Sequence, residues 1–164
     1  MGDRTYCQIE IAKRDDSALR ATLVDEHGFE EEGDSADRLY FGDAEANYGG
    51  SSAVADLQDL RLPFFGYHDA GGDYSPMVFA FDGATYAECA AIVSAPVCTV
   101  DDNGEPNQSD LKTAREYLKV HKRAKQRMTA EPLADCSECL ERIYEWQPHE
   151  DDKHKDCAAA ATVA

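Results

Sequence analysis

The sequence predicts an α+β fold, a mainly antiparallel sheet with helices on one face followed by a C-terminal helical extension. Three stretches carry this expectation. Thr5 to Ala12 alternates strictly, with Cys7, Ile9 and Ile11 on one side and Tyr6, Gln8 and Glu10 on the other, the period of a strand with one buried face. Phe64 to His68 and Met77 to Phe81 are two β-rich runs on either side of Gly71-Gly72, the pattern of a hairpin with a long tip. Beyond Ser109 or Asp110, either of which suits a helix cap, apolar residues recur at helical spacing to about Met128.

The remaining elements fall between these anchors. Asp15 or Asp16 is placed to cap a helix carrying Leu19, Leu23 and Val24, which ends near Gly28. Glu30-Glu31-Glu32-Gly33-Asp34 reads as a charged loop, and Arg38 to Gly42 as a second strand. Gly49-Gly50-Ser51-Ser52 breaks the chain, and a serine there can cap a helix with Val54, Leu57 and Leu60 inward, stopped by Pro63. Val97 to Val100 reads as a strand closed by an Asn103-Gly104 turn. The long helix is expected to turn Leu111, Ala114, Leu118 and His121 inward, and a shorter one follows Pro132 with Leu133, Cys136, Leu140, Ile143 and Tyr144. The order β-α-β-α-β-β-β favours an antiparallel sheet. It divides the chain into an acidic α+β domain (1–108), C-terminal helices packed on it (109–147) and a polar, alanine-rich tail (148–164).

Charge is the strongest compositional signal, and it is unevenly placed. The net charge is −17 in 164 residues. Residues 1–110 contain 23 Asp or Glu against 6 Lys or Arg, whereas residues 111–164 contain 10 of each, so the first two-thirds carry the whole excess. Such a field disfavours direct contact with nucleic acid or anionic membrane and steers basic partners toward the acidic part. With 19 Asp, 14 Glu and only 7 Lys, the same composition also fits solvation in a salty cytoplasm. The opening residues lack the basic start and apolar run of a secretory signal, and no stretch approaches the roughly 20 apolar residues of a membrane span. A cytoplasmic location follows as the expectation, with the six cysteines reduced.

Glu45-Ala-Asn-Tyr-Gly-Gly50, Leu62-Pro-Phe64, Asp69-Ala-Gly-Gly-Asp-Tyr74 and Asp110-Leu-Lys-Thr-Ala-Arg-Glu-Tyr-Leu118 give a pattern over roughly residues 5–125. It resembles small uncharacterised cytosolic proteins of bacteriophages, plasmids and integrated elements. The resemblance carries no activity and no site residue. It implies a role useful to a mobile element, including inhibition of host defence.

Two constellations compete for function. The first is the acidic surface, represented by Glu30, Glu31, Glu32, Asp34, Asp56, Asp59, Asp69 and Asp73. Closely spaced carboxylates can imitate duplex DNA, which carries one charge per about 1.7 Å of axis. The expected partner is a protein with a basic, nucleic-acid-binding surface, such as a restriction or CRISPR effector. The competing reading is a solvating face. The second constellation is Cys136-Ser-Glu-Cys139 with His154-Lys-Asp-Cys157, two pairs separated by 14 residues, which suits a Cys3His zinc site in an accessory or regulatory module. Against it, Cys136 also continues the apolar stripe of its helix. No cofactor other than this zinc is expected.

Enzymatic readings are weaker. His68 beside Asp69 and Asp73, with Tyr67 and Tyr74 near, has the chemistry of a general base, but Asp-Ala-Gly-Gly-Asp is ordinary turn material. Cys89 lies among Ala87, Ala90, Ala91 and Ile92, the setting of an inert thiol. The basic run from Lys112 to Arg127 has Tyr117 as its only aromatic, too little interleaving for a nucleic-acid surface; it reads as a solvated face or one turned toward the protein's own acid. The zinc reading predicts about one metal ion per purified chain, released by Cys136→Ser or Cys157→Ser. Elemental analysis of unchelated protein checks this, and its finding no zinc would remove the reading.

Overall fold

A computed structural model describes residues 4–72 and 75–129. Seven strands form one antiparallel sheet: β1 (Arg4–Ala12), β2 (Glu30–Asp34), β3 (Arg38–Asn47), β4 (Phe64–His68), β5 (Met77–Phe81), β6 (Tyr86–Ile92) and β7 (Ala95–Pro96). Their order across the sheet is β2-β3-β1-β4-β5-β6-β7. Three α-helices accompany the sheet among the described residues. The first, α1 (Asp16–Arg20), continues as a π-helical turn (Ala21–Glu26); α2 spans Ser51–Asp59 and α3 Gln108–Thr129.

β1 pairs with β3 on one side and β4 on the other, so its alternation sets both faces. Cys7, Ile9 and Ile11 join Phe41, Phe64, Phe79 and Phe81 in a core that Leu19, Leu23, Val54 and Leu57 of α1, its π-helical turn and α2 close. On the opposite face Phe65, Val78, Ala80, Cys89 and Ala91 pack beneath Ala114, Tyr117, Val120, Ala124 and Met128 of α3. The expected α+β class with an antiparallel sheet is the observed one. α1 and α2 share a face as expected, and α3 covers the other.

Several local expectations are corrected. Glu30 to Asp34 is an edge strand rather than a loop; its exposed carboxylates cost little there, since an edge strand needs only one ladder. The strand expected at Val97 to Val100 lies earlier, over Tyr86–Ile92, and Val100 makes only an isolated bridge to Pro106. Ala87, Ala90 and Ala91 have weak strand preference, and pairing with β5 overrides it. Leu118 is 51% exposed and Leu60 37%, so neither points inward as expected. Tyr117 and Val120 take the α3 stripe instead.

Caps differ too. Neither Asp15 nor Asp16 caps α1: no side-chain bond closes its start, and a 3-10 turn (Lys13–Asp15) leads into it. Gly50 in the left-handed region, not a serine, precedes α2. Gly49 and Gly50, at φ 64° and 75°, also bring the chain against the His68 ring and the Cys7 thiol, where a Cβ would collide or crowd. Asn107 Oδ1 accepts from Ser109 N at 2.9 Å and so starts α3, while Asp110 accepts from Thr99 N at 3.0 Å.

One buried carboxylate fastens α3 to the sheet. Asp82, 5% exposed at the β5–β6 turn, accepts from Thr85 N (2.8 Å), Ala84 N (3.0 Å) and Arg123 Nε (2.6 Å). Arg127 donates to the Asp82 carbonyl. Part of the basic run is thus turned toward the protein's own acid. Asp82→Ala is expected to destabilise the fold by about 2 kcal/mol, because it removes the charged acceptor of two turn amides and of Arg123. Urea denaturation checks this.

His121 stacks on Tyr117 (5.5 Å between centroids) and meets Phe65 edge-on (4.5 Å). Burial holds its pKa below the ordinary value, assisted by Lys125 and Arg38. The folded protein therefore keeps a neutral imidazole while the unfolded chain takes up a proton near pH 6.5. The stability involved is present above that pH and is lost as pH falls toward the folded value. Glu10 and Asp15, raised chiefly by burial, act with opposite sign at lower pH, their contribution being lost as pH rises through their folded values. Stability measured from pH 7.5 to 5.5 should fall, and His121→Phe should flatten that slope.

Candidate functional site

α3 covers only part of its face. The register places Gly42, Gln8, Tyr67, Val78 and Cys89 in one row across the sheet, and Tyr40, Glu10, Phe65, Ala80 and Ala87 in the next. The β4–β6 ends of these rows hold the apolar residues packed with α3. On β1–β3 the same face holds Tyr6, Gln8, Glu10 and Tyr40, all half-buried.

Glu32 of β2 folds onto this face. Its Oε2 accepts from the Tyr6 hydroxyl at 2.5 Å and from Gln8 Nε2 at 2.8 Å, and Gln8 also donates to the Tyr6 oxygen at 3.0 Å. A β-bulge between Glu31 and Gly33 re-aims the strand there. The carboxylate lies over Gly42, where any Cβ would overlap it. The ring of Tyr67 lies 5.8 Å from that of Tyr6, tilted by 53°. Burial, and then the bond to Glu32, push the Tyr6 phenol well above its ordinary pKa, so it stays a proton donor at physiological pH. Oε1 of Glu32 takes no hydrogen bond from the described residues.

The other acidic candidates are exposed, and several are braced. Arg20 bridges Asp16 (2.8 Å) and Glu31 (2.7 Å) while lying over the Phe41 ring. Lys13 pairs with Asp34, and His27 Nε2 meets Asp56 Oδ2 at 2.7 Å. Glu30, Asp59 and Asp69 have no side-chain partner among the described residues. The structure therefore brings Glu30, Glu31, Glu32 and Asp34 together on one edge strand and puts Asp56 and Asp59 on α2. Asp69 follows β4. Asp73 lies outside the described residues, as do Tyr74 and the proposed zinc ligands Cys136, Cys139, His154 and Cys157.

Among the described residues, Glu26, His27 and Asp56 form a cluster whose ligand atoms lie within 4.8 Å of one another, a set able to hold a metal ion. Packing sets the surroundings of the candidate reactive groups. Burial pushes the Cys89 thiol up to about 11 and the Cys7 thiol up to about 12, leaving both protonated at neutral pH. The His68 ring lies against the Gly49 backbone, and its Nδ1 sits 2.9 Å from the Asp69 carbonyl.

The residues that sequence reasoning missed are Tyr6, Gln8 and Gly42; Tyr67 was named only as a neighbour of His68. Tyr6 and Gln8 stood on the polar side of the Thr5–Ala12 alternation, which marked them as solvent-facing and nothing more. Gly42, inside a strand, was the one local hint of a close approach. Among the described residues no helix is long and apolar enough to cross a membrane. Comparison with protein-family models, curated proteins and solved structures finds no match.

Proposed function

We propose that this chain is a non-enzymatic acidic interaction protein that occupies the nucleic-acid-binding surface of a basic partner. The observation that supports this most is the β2 edge. Glu30, Glu31, Glu32 and Asp34 put four carboxylates on one five-residue edge strand, and because successive side chains alternate they project to both sides of it. Bracing by Arg20, Lys13, Tyr6 and Gln8 fixes three of these carboxylates before any partner arrives, which lowers the ordering cost of binding. The resemblance to proteins of mobile elements makes a host defence complex, a restriction or CRISPR effector, the target class of this proposal.

The braces determine which substitutions test it. Reversing Glu31 would set a lysine against Arg20 and so alter a brace as well as a charge, whereas Glu30 and Asp59 are exposed and lack side-chain partners among the described residues. Glu30→Lys with Asp59→Lys is expected to slow association with the effector by about tenfold at low salt, since steering acts on the approach. It should shift stability by no more than about 0.5 kcal/mol per site. Surface-capture kinetics against a purified effector, with duplex DNA as competitor, measure this. A complex indifferent to the reversals, or one that forms together with the effector's DNA, would leave the acidity as solvation.

A further inference from the structure

The face beside β2 that the described helices leave uncovered is more than negatively charged. It combines two tyrosine rings with one immobilised carboxylate, and the sequence places a glycine beneath that carboxylate. We propose that Tyr6, Tyr67 and Glu32 form a receptor for a single arginine side chain of the basic partner, a recognition point within the proposed function and resting on it.

A guanidinium is a weakly hydrated plane that lies on an aromatic ring and donates hydrogen bonds in that plane. The tilted Tyr6 and Tyr67 rings offer aromatic surface, and Glu32 offers an anion beside it whose Oε1 accepts from no described group. Tyr6 and Gln8 occupy Oε2 and so stop the side chain from rotating away, giving the anion one position instead of many. Gly42 supplies the room: in β3 only a residue without Cβ lets the carboxylate settle on the sheet. An ammonium fits less well, because lysine keeps a strong hydration shell that partial exposure does not replace.

This arrangement differs from long-range steering in what it controls. Steering by Glu30 and Asp59 changes the rate of approach and depends on salt. A ring-and-carboxylate contact acts at short range and sets how long the arginine stays. The two are separable because Tyr67→Leu removes a ring without altering net charge.

Full-length protein labelled with ¹⁵N would be titrated with an arginine octapeptide and a lysine octapeptide, each acetylated and amidated, at 150 mM salt. The arginine peptide is expected to bind about three- to fivefold more tightly and to shift the amides of Tyr6, Gln8, Glu32 and Tyr67. Tyr67→Leu and Glu32→Gln should each remove that preference, and Gly42→Ala should do so while leaving charge and rings unchanged. Tyr48→Leu, which alters a 62% exposed tyrosine elsewhere, should not. The amide spectrum shows directly whether each variant folds, and Glu32→Gln retains nearly the native shape if another does not. Equal binding of the two peptides, unaffected by Tyr67→Leu, would overturn the receptor while leaving the acidic interaction surface standing. Failure of both peptides to bind would overturn both. Self-association lost in Tyr67→Leu, with no peptide binding, would make the occupant a second copy and overturn the external partner.

Discussion

The register of β1 is the constraint on which the rest of the molecule depends. It sits between β3 and β4, and its side chains serve two unlike layers. Cys7, Ile9 and Ile11 are fully buried against α1 and α2, while Gln8 and Glu10 stand on the opposite face. A slip of one residue would drive an amide and a carboxylate into that core and expose three apolar side chains. Gly66 tightens the same constraint, because a Cβ there would run into the Gln8 carbonyl and the Phe79 ring. The polar row beside β2 is thus fixed by the packing of the hydrophobic one.

Charge is arranged on the same scaffold with little cationic help. Of the six basic residues before position 110, Arg4, Lys13, Arg14, Arg20 and Arg38 all contact carboxylates. The exposed ones among them, such as Arg4–Glu45 and Lys13–Asp34, contribute little stability, commonly under about 1 kcal/mol. Their consequence is positional: they hold particular carboxylates in place while leaving others unpaired. Asp82 differs because it is buried. By binding Arg123 and its own turn amides it links the last hairpin to α3, and α3 in turn decides how much of the sheet stays uncovered.

How much of this was legible depended on whether local preference and tertiary demand agreed. They agreed in β1, in the β4–β5 hairpin and, its cap and Leu60 apart, in α2, where period and breakers pointed one way. They disagreed at Glu30–Asp34 and at Ala87–Ala91, where acidic and alanine-rich runs became strands because a neighbour was available to pair. In α3 the stripe ran through Tyr117 and Val120 because the surface beneath, not the helix alone, sets its rotation. The acidic candidates could be named from composition. Their grouping could not, since Tyr6 and Glu32 meet across 26 positions and the meeting depends on the bulge in β2.

Two physical demands act on the acidity of β2, and they separate at Glu32. An edge strand exposes unpaired backbone groups, and charged side chains discourage other chains from pairing there. Glu30, Glu31 and Asp34 meet that demand from wherever they project. A solvating composition asks for nothing more. Neither demand asks that Glu32 be turned onto the sheet, that a tyrosine and a glutamine both bind the same oxygen, or that Gly42 clear the space beneath it. Glycine within a strand weakens it. A carboxylate needed only for charge would be better left in water above an ordinary side chain. Here a glycine that weakens its strand leaves room for one anion held beside two aromatic rings, and that combination is what the proposed arginine receptor rests on.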